Sequence, residues 1–458
     1  MEYTKRLAEF CSAASMDGLP ARVVHKAKQC VLDFAASIYG SLELDAVNRT
    51  AAYIKSLGNT PGATVLGFGF KTDIQNAAFL NGTLAEAIEA QDGLRFGGNH
   101  AGVAVIPAAL AVAERAGKGG SELIEAVVVG YEVANRISAS MHPHHTLSGF
   151  LPTGTSGTFG AAAAAAKLLG HDNELMLNAL GNAGYLAPLS MAEQLMEGRT
   201  VKIVQGGQAA SSGIMAAGLA GAGITGMPCV LEGSAYHGGF TQITTARTSG
   251  KPDLERITAG LGEAFSIMDV YFKPYPACRH THGTAQAVLE LVHENRIAPR
   301  EVMDVNVYTY GIAQIAVGKG VERNCSIVSA QFSIPYVAAV CLIDKEFGPR
   351  QLTERRLADP VVMELAGKVK VHQDEVLNAM YPDKTASRVE ITLEGGRKLS
   401  RQIDIPSGDP RDPMGDETLS LKVRKFAANR DNKNVDRVID MILNLEKVQD
   451  IGELARIM

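Results

Sequence analysis

The sequence GAAAAAAKLLG at residues 160–170 decides the fold of this chain. Its alanine run favours a helix, and side chains of a single methyl group let other helices approach closely. Around it, apolar residues recur at helical period with short Gly or Pro breaks as far as about residue 265. Helices are predicted at residues 21–38, 72–88, 105–116, 121–137, 157–169 and 173–183. Few windows alternate as strands do, so this part of the chain predicts a large helical domain.

The pattern changes beyond about residue 267. A helix at residues 283–295 is followed by an alternating β-branched run at 302–310 and a helix at 329–343. Two further strand-like runs, at 387–393 and 398–405, flank an EGG turn. Helical periodicity returns from about residue 413, with an amphipathic run at 434–447. We predict a mainly α protein, in which residues 1–266 and 410–458 form an all-helical domain and residues 267–409 form a smaller α+β lid domain.

Composition narrows the class of protein. The 458 residues are 46% hydrophobic and 20% charged, which is enough for a large core. A net charge of −5 without any Lys/Arg run argues against nucleic acid or an anionic membrane as partner. The six cysteines show no paired spacing and the N-terminus has no signal-peptide pattern, so we expect a cytoplasmic protein without disulfides. Residues 203–231 carry no charge, but their Gly- and Ala-rich composition predicts a buried helix rather than a membrane span.

The first candidate site is DVYFKPYPACRHTHG, residues 269–283, which concentrates cations between prolines and a helix. Pro274 and Pro276 favour an extended lead-in carrying Lys273, and Arg279 and His282 would lie near the start of the helix. Free N–H groups and the helix dipole there attract anions. Two alternatives stay open, namely a metal site built from Cys278, His280 and His282 and an ordinary polar helix entry.

The second candidate is NGTLAEAIEAQDGLRFGGNHAG, residues 81–102. If a helix runs through it, the spacing of Glu86, Glu89 and Asp92 puts the three acids on one face. A glycine-rich turn with Arg95 and His100 follows. Acid, guanidinium and imidazole together are what a general acid/base site for an anionic substrate needs. The plain alternative is an acidic helix end and a connecting loop.

Two weaker candidates accompany these segments. GRTVKIVQGGQAASSG, residues 198–213, places Lys202 before a glycine pair that does not match a dinucleotide fingerprint. Lys202 is either an anchor for a carboxylate or a solvated lysine at a helix end. The segment HPHHTLSGFLPTGTSGTFG, residues 142–160, has three histidines without a carboxylate or Cys partner, and we interpret it as a polar loop.

Taken in order, these motifs resemble the MmgE/PrpD family. The resemblance rests on NG-x-x-A-E-x-x-E-x-x-D with His100, on PTGTSGTFGAAAAAAKLLG, on VK-x-x-x-GGQAA, on KPYPACRHTH and on AQFSIPYVAAVCLIDKEFG. That family includes 2-methylcitrate dehydratases, cis-aconitate decarboxylases and iminodisuccinate epimerases. The resemblance implies a homodimer whose active site lies in a cleft between the two domains of each subunit and needs no cofactor or metal. His100, Lys202 and Lys273 match family motif residues, and Glu89 stands where many members have a catalytic Asp.

Several positions depart from the family pattern. Glu86 stands where family members commonly have a His. Gln91 stands where they have the first acid of an Asp-Asp pair, so that only the second acid, Asp92, is present here. Other family histidines are replaced here by Leu151, Cys278 and Gln205. The loss of these imidazoles disfavours cis-aconitate decarboxylation, and it also weakens direct transfer of a dehydratase assignment.

The resulting hypothesis is a lyase or isomerase that moves a proton at a carbon next to a carboxylate of a small di- or tricarboxylate. Such a reaction forms an enediolate, so the site must supply cations as well as a base. We expect His100, Glu89, Asp92, Lys202, Lys273 and His282 to be catalytic, with His100 as base or acid. We expect the substrate to contact Arg95, Arg279, Cys278, Gln205 and Tyr310. The competing hypotheses are a retired family member that only binds a carboxylate and a metalloenzyme.

Overall fold

The α-helices dominate the architecture of the chain. In a computed structural model, which describes residues 2–58, 60–428 and 430–458, long helices occupy the N-terminal half and a small sheet lies in the C-terminal half. The first group of α-helices is α1 (Tyr3–Ala13), α2 (Ala21–Ser41), α3 (Asp45–Ser56), α4 (Ile74–Ala87), α5 (Gly102–Ala116), α6 (Gly120–Met141), α7 (His144–Leu147), α8 (Pro152–Leu168), α9 (Asn173–Leu186), α10 (Ala192–Met196), α11 (Gln205–Gly221), α12 (Phe240–Ile243) and α13 (Glu255–Thr258). The predicted helical domain is therefore helical, and the fold class is mainly α as expected.

The remaining elements alternate helix and strand. The later α-helices are α14 (His282–Asn295), α15 (Gly311–Val317), α16 (Ile327–Gln331), α17 (Ile334–Asp344), α18 (Glu354–Leu357), α19 (Pro360–Gly367), α20 (Glu375–Met380), α21 (Asp416–Phe426), α22 (Asn432–Leu443) and α23 (Ile451–Ile457). The strands are β1 (Ala63–Thr64), β2 (Lys71–Thr72), β3 (Gly93–Leu94), β4 (Val270–Tyr271), β5 (Val302–Thr309), β6 (Val369–Gln373), β7 (Ser387–Leu393) and β8 (Lys398–Ile403).

A four-stranded mixed sheet forms the smaller α+β part. Its order is β6-β5-β7-β8, in which β5 pairs with β6 in parallel and with β7 antiparallel, and β7 pairs with β8 antiparallel. Helix α14 packs against β7 and β8, and α17 packs against β6. Strand β6 was not predicted, because its alternation is short and polar. The sheet therefore confirms the predicted α+β character and adds one strand to it.

Small residues let the central helices pack closely. Helix α11 packs against α4, α8 and α9. A Cβ atom added at Gly207 would lie 2.0 Å from the carbonyl oxygen of Phe79, and one at Gly213 would lie 2.5 Å from the Cβ of Ala161. Larger side chains would push these helices apart. The alanine run in α8 is buried in the same way, as its composition predicted.

Some predicted helices end earlier than expected. The uncharged stretch forms a helix only over Gln205–Gly221 and then continues in turns and short segments. The helix predicted at 329–343 is two helices, since Ser333 accepts a hydrogen bond from Tyr336 N at 3.3 Å and so caps a new helix after Gln331. In the described part of the chain, no helix is long and apolar enough to cross a bilayer.

The C-terminal segment packs on the N-terminal helices. Helices α21 and α22 contact α2, and α23 contacts α5. Lys422 on α21 forms a buried ion pair of 2.6 Å with Asp33 on α2. We predicted that residues 410–458 pack with the N-terminal helices in one helical domain, and such packing requires contacts of this kind. The exact division into two domains stays a prediction.

Candidate active site

A short antiparallel pairing brings the two main candidate segments together. Gly93 pairs with Tyr271, and Leu94 pairs with Val270, so β3 and β4 lie side by side. The acidic segment that ends α4 therefore lies beside the cationic segment that precedes α14. These segments border a cleft of about 900 Å³. Cleft-lining residues include Glu89, Arg95, His100, Lys202, Gln205, Tyr271, Cys278, Arg279, His280 and Tyr381.

Glu89 lies at the centre of a buried charge cluster. Lys273 Nζ is 2.7 Å from Glu89 Oε1, and the Lys202 ammonium group donates to Glu89 Oε2. Burial alone would raise the pKa of Glu89, but the two ammonium groups outweigh it and hold the pKa below its ordinary value. In turn, the carboxylates of Glu89 and Glu86 raise the pKa of Lys202 against the effect of burial. Glu89 is therefore a carboxylate and Lys202 an ammonium ion.

Glu89 does not extend the helix as the spacing predicted. Helix α4 ends at Ala87, and Glu89 has a φ of 57°, in the left-handed region. Glu86 and Glu89 nevertheless both reach Lys202, since Lys202 Nζ is 3.2 Å from Glu86 Oε1. The two acids meet through a turn at the helix end rather than along one helical face.

One ring nitrogen of His100 is anchored on the backbone and the other is not. Its Nδ1 lies 2.5 Å from the carbonyl oxygen of Asp92. A carbonyl only accepts, so Nδ1 carries the proton and Nε2 keeps its lone pair. Burial, reinforced by Lys273, lowers the pKa of His100 to about 3. Among the described residues no protein group bonds Nε2, and His100 lines the cleft. The imidazole is therefore neutral at neutral pH and has an unprotonated nitrogen available.

Asp92 and Lys273 are close to the site without lining the cleft. The side chain of Asp92 accepts a hydrogen bond from the Tyr131 hydroxyl, and only its backbone carbonyl touches His100. Burial, together with the nearby Asp33, raises the pKa of Asp92 to about 6. Lys273 is completely buried below Glu89. Of these two predicted catalytic residues, Lys273 therefore contacts the Glu89 side chain and Asp92 contacts the His100 ring, both from outside the cleft.

His282 does not reach the cleft, which corrects its expected catalytic contact. Its Nε2 donates to the carbonyl oxygen of Ala277 at 3.0 Å, and its ring is fully buried beside Tyr275. The reason is local: Arg279–Thr281 form a 3₁₀ turn before α14, and this turn directs His282 into the core. The same contact removes His282 from the suggested metal site. No group of three or more His, Cys, Asp or Glu side chains suited to a metal occurs in the described ranges.

The predicted substrate contacts fall into two classes. Arg95, Arg279, Cys278 and Gln205 line the cleft, whereas Tyr310 is buried behind it and shares a 2.5 Å hydrogen bond with His280 Nδ1. The Arg279 guanidinium donates to the carbonyl oxygens of Pro406 and Ser407 and lies 4.9 Å from the Tyr271 ring. Burial raises the pKa of Cys278 to about 11, so the thiol keeps its proton.

Sequence reasoning missed several residues of the site. Thr153 accepts a hydrogen bond from His100 N at 3.0 Å, and Phe332 lies under the Lys202 ammonium at 5.7 Å. Gln331 donates to the carbonyl oxygen of Ala87 at 3.0 Å. All three stand in motifs that carried the family resemblance, which was a usable signal.

Comparison with known proteins identifies the family. Cis-aconitate decarboxylase of Aspergillus terreus is 29% identical over 472 aligned positions, covering 99% of this chain and 95% of that protein. Cis-aconitate decarboxylase of Homo sapiens is 26% identical, covering 99% of this chain and 94% of its own. Residues 5–251 match the MmgE/PrpD N-terminal domain, and residues 275–447 match the MmgE/PrpD C-terminal domain. The chain therefore belongs to the MmgE/PrpD family.

Proposed function

We propose that this protein is a lyase or isomerase that removes or adds a proton at a carbon next to a carboxylate of a small di- or tricarboxylate. The observation that carries the proposal is His100, a neutral imidazole with Nδ1 anchored on a carbonyl and Nε2 unbonded in a cationic cleft. A base in this state accepts a proton without first losing one. The resemblance to a family of lyases and epimerases supports the same chemistry.

The cations of the cleft have a defined part in the proposed reaction. Proton loss beside a carboxylate spreads negative charge over an enediolate, which fixed donors stabilise in a partly dry site. Arg95 and Arg279 line the cleft for this purpose, and Lys202, which Glu89 and Lys273 hold in place, adds a buried N–H donor. Base and cations are all side chains of this chain, and the proposed steps use no cofactor.

Dehydration and epimerisation both follow from such an enediolate. Dehydration expels a hydroxyl group from the neighbouring carbon, whereas epimerisation returns the proton to the opposite face. The Cys278 thiol lines the cleft and keeps its proton, so it is a candidate proton donor for either outcome. By analogy with the family, we also propose that the working form is a homodimer, which sedimentation of the purified protein tests.

Decarboxylation is the second candidate, because the compared relatives carry the name cis-aconitate decarboxylase. Leu151, Gln205 and Cys278 line the cleft at positions where the family resemblance leads us to expect histidines. The imidazole of His280 also lines the cleft, but burial, reinforced by Lys273, lowers its pKa to about 4. Because imidazoles are replaced at three positions and His280 is neutral, we rank decarboxylation behind dehydration and epimerisation.

Incubation of the purified protein in D2O with a panel of small di- and tricarboxylates tests the proposal. Proton NMR would detect deuterium at a carbon beside a carboxylate, loss of water, inversion or loss of CO2 from cis-aconitate. We expect exchange with at least one compound. Binding without exchange or product across the panel would instead favour a carboxylate-binding protein, and CO2 release without exchange would favour the decarboxylase.

A further inference from the structure

A fully buried carboxylate lies directly below the cleft. Glu86 has no solvent exposure. Gly206 N donates to its Oε2 at 2.8 Å, Lys202 Nζ lies 3.2 Å from its Oε1, and the Gln205 amide also donates to Oε1. Every neighbour is a donor, so none accepts the proton of a neutral carboxyl group. Burial raises the pKa of Glu86, but the Lys202 ammonium group, the Gln205 side-chain amide and the Gly206 backbone amide all act against that rise, and this set of donors holds Glu86 as an anion.

Glu86 changes the charge balance of the cleft floor. The floor consists of Glu86, Glu89, Lys202 and Lys273 with the neutral His100 above them. Two carboxylates meet two ammonium ions, so the floor carries no net charge. Without Glu86 it would carry one positive charge, and Lys202 would be freer to bind a substrate carboxylate.

Two guanidinium groups remain for the substrate. Arg95 and Arg279 line the cleft, and within the described residues their donors reach only backbone carbonyls: Pro382 for Arg95, and Pro406 and Ser407 for Arg279. The nearby carboxylates Asp383 and Asp409 pair with Arg411 instead. Lys319 and Arg323 also line the cleft, but both are exposed, so water and salt screen their charge.

We propose that Glu86 sets the charge of the substrate, and that the site accepts dicarboxylates in preference to tricarboxylates. Two arginines without carboxylate partners match two carboxylates, and a neutral floor gives no counter-charge for a third. The anion at Glu86 instead repels a third carboxylate that approaches Lys202. The inference rests on the proposed function, since it names the substrate class for that site.

A matched pair of ligands tests this charge selection. Glutarate and tricarballylate share a three-carbon backbone and differ by one carboxylate, and calorimetry at pH 7.5 measures the dissociation constant of each. We expect the wild-type protein to bind glutarate more tightly. In Glu86→Gln the ratio of the two constants should shift toward tricarballylate by on the order of tenfold, the effect of one charge about 12 Å away at an effective dielectric constant of about 20.

Glu197→Gln is the matched control, because it removes the same charge from the exposed mouth of the cleft. We expect the ratio to change by less than about twofold, because salt screens exposed charges. An unchanged ratio in a folded Glu86→Gln protein would overturn the inference. So would wild-type protein that binds tricarballylate at least as tightly as glutarate, a comparison that holds even if the variant does not fold.

The same ligands separate this inference from the proposed function. If the protein exchanged a proton beside a carboxylate in D2O but preferred tricarballylate, only the proposed charge selection would be contradicted. Preference for glutarate without exchange for any compound of the panel would leave the charge selection standing and remove the catalytic proposal.

Discussion

The side chain of Glu89 joins the two halves of the site, and its own backbone is strained. Its left-handed backbone, with φ at 57°, turns the carboxylate between Lys202 and Lys273. Lys273 also lies 3.3 Å from the Glu89 carbonyl oxygen, so it holds backbone and side chain together. A non-glycine residue in this conformation needs such support from its surroundings.

Replacing Glu89 by Gln tests this role. The amide cannot neutralise two buried ammonium groups, and removing one partner of a buried ion pair costs about 3–5 kcal/mol. We expect the free energy of unfolding, measured by urea denaturation, to fall by that order. The exposed Glu197→Gln should change it by no more than about 0.5 kcal/mol. Equal stability of the two variants would show that Glu89 is not the centre of the cluster.

At the scale of residues, the motif positions were predictable and their orientation was not. His100, Lys202 and Glu89 meet in the cleft as their motifs indicated. Asp92 and His282 were expected to be catalytic, yet the Asp92 carboxylate accepts from the buried Tyr131 hydroxyl, and a 3₁₀ turn directs His282 to the Ala277 carbonyl oxygen. One sequence carries no signal for which side of a turn faces a cleft formed by distant segments.

At the scale of elements, close contact between α11 and α4 depends on Gly207. A methyl group there would lie 2.0 Å from the carbonyl oxygen of Phe79, whereas Gly218 on the same helix has nothing within 4 Å. We expect Gly207→Ala to lower the free energy of unfolding by about 1–3 kcal/mol through overpacking. Gly218→Ala should raise it by up to about 1 kcal/mol through helix propensity. Thermal unfolding of both variants checks the contrast, and a stabilised Gly207→Ala would contradict this packing.

The end of α4 is held by side chains from distant segments. The carbonyl oxygens of Ala87, Glu89, Ala90 and Asp92 accept hydrogen bonds from Gln331, Lys273, Lys422 and His100 respectively. These donors belong to α16, to the segment after β4, to α21 and to the glycine-rich turn before α5. The position of the candidate base thus depends on elements from the whole length of the chain.

Lys422 gives a test of this support. It pairs with the buried Asp33 at 2.6 Å and donates to the Ala90 carbonyl at 2.7 Å. In Lys422→Met the carboxylate of Asp33 loses its cation, which we expect to cost about 3–5 kcal/mol of unfolding free energy. Arg424 on the same helix forms an exposed ion pair with Asp436, and Arg424→Met should lower the free energy of unfolding by no more than about 1 kcal/mol. Chemical denaturation measures both, and similar losses would refute a special role for Lys422.

Element types followed from periodicity, and element ends did not. The alanine run of α8 and the alternation of β5, β7 and β8 were recognised. Strand β6 was missed because only five residues form it, and its pairing with β5 is a long-range contact. The helix at 329–343 breaks at a serine cap that the apolar pattern concealed.

At the scale of the whole molecule, buried neutral imidazoles should make stability depend on pH. Burial lowers the pKa of His100 to about 3 and that of His145 and His280 to about 4. Unfolded histidines titrate near about 6.5. Between these values the unfolded chain binds more protons, so stability falls as pH falls from about 6.5 to 4. Asp92, with its pKa raised to about 6, opposes this trend over part of that range because the folded chain takes up its proton first, and Asp33, Glu86 and Glu132, whose pKa values burial also raises, act in the same direction.

Denaturation at pH 7.5 and pH 5 measures this dependence. We expect a lower free energy of unfolding at pH 5, and a smaller difference in His145→Gln, which removes one buried imidazole outside the cleft lining. His293→Gln, an exposed position, should leave the difference unchanged. A pH dependence identical in wild type and His145→Gln would contradict this explanation.

The central claim is that His100 moves a proton at a carbon beside a carboxylate, and the rate of deuterium uptake from D2O measures that step directly. For the di- or tricarboxylate that the wild-type protein exchanges fastest, we predict that His100→Gln slows exchange by about 10²–10⁴-fold, the usual contribution of a general base. His293→Gln is the control for a distant imidazole. If folded His100→Gln exchanged the substrate within threefold of wild type, His100 would not be the base and the account of the site would be wrong.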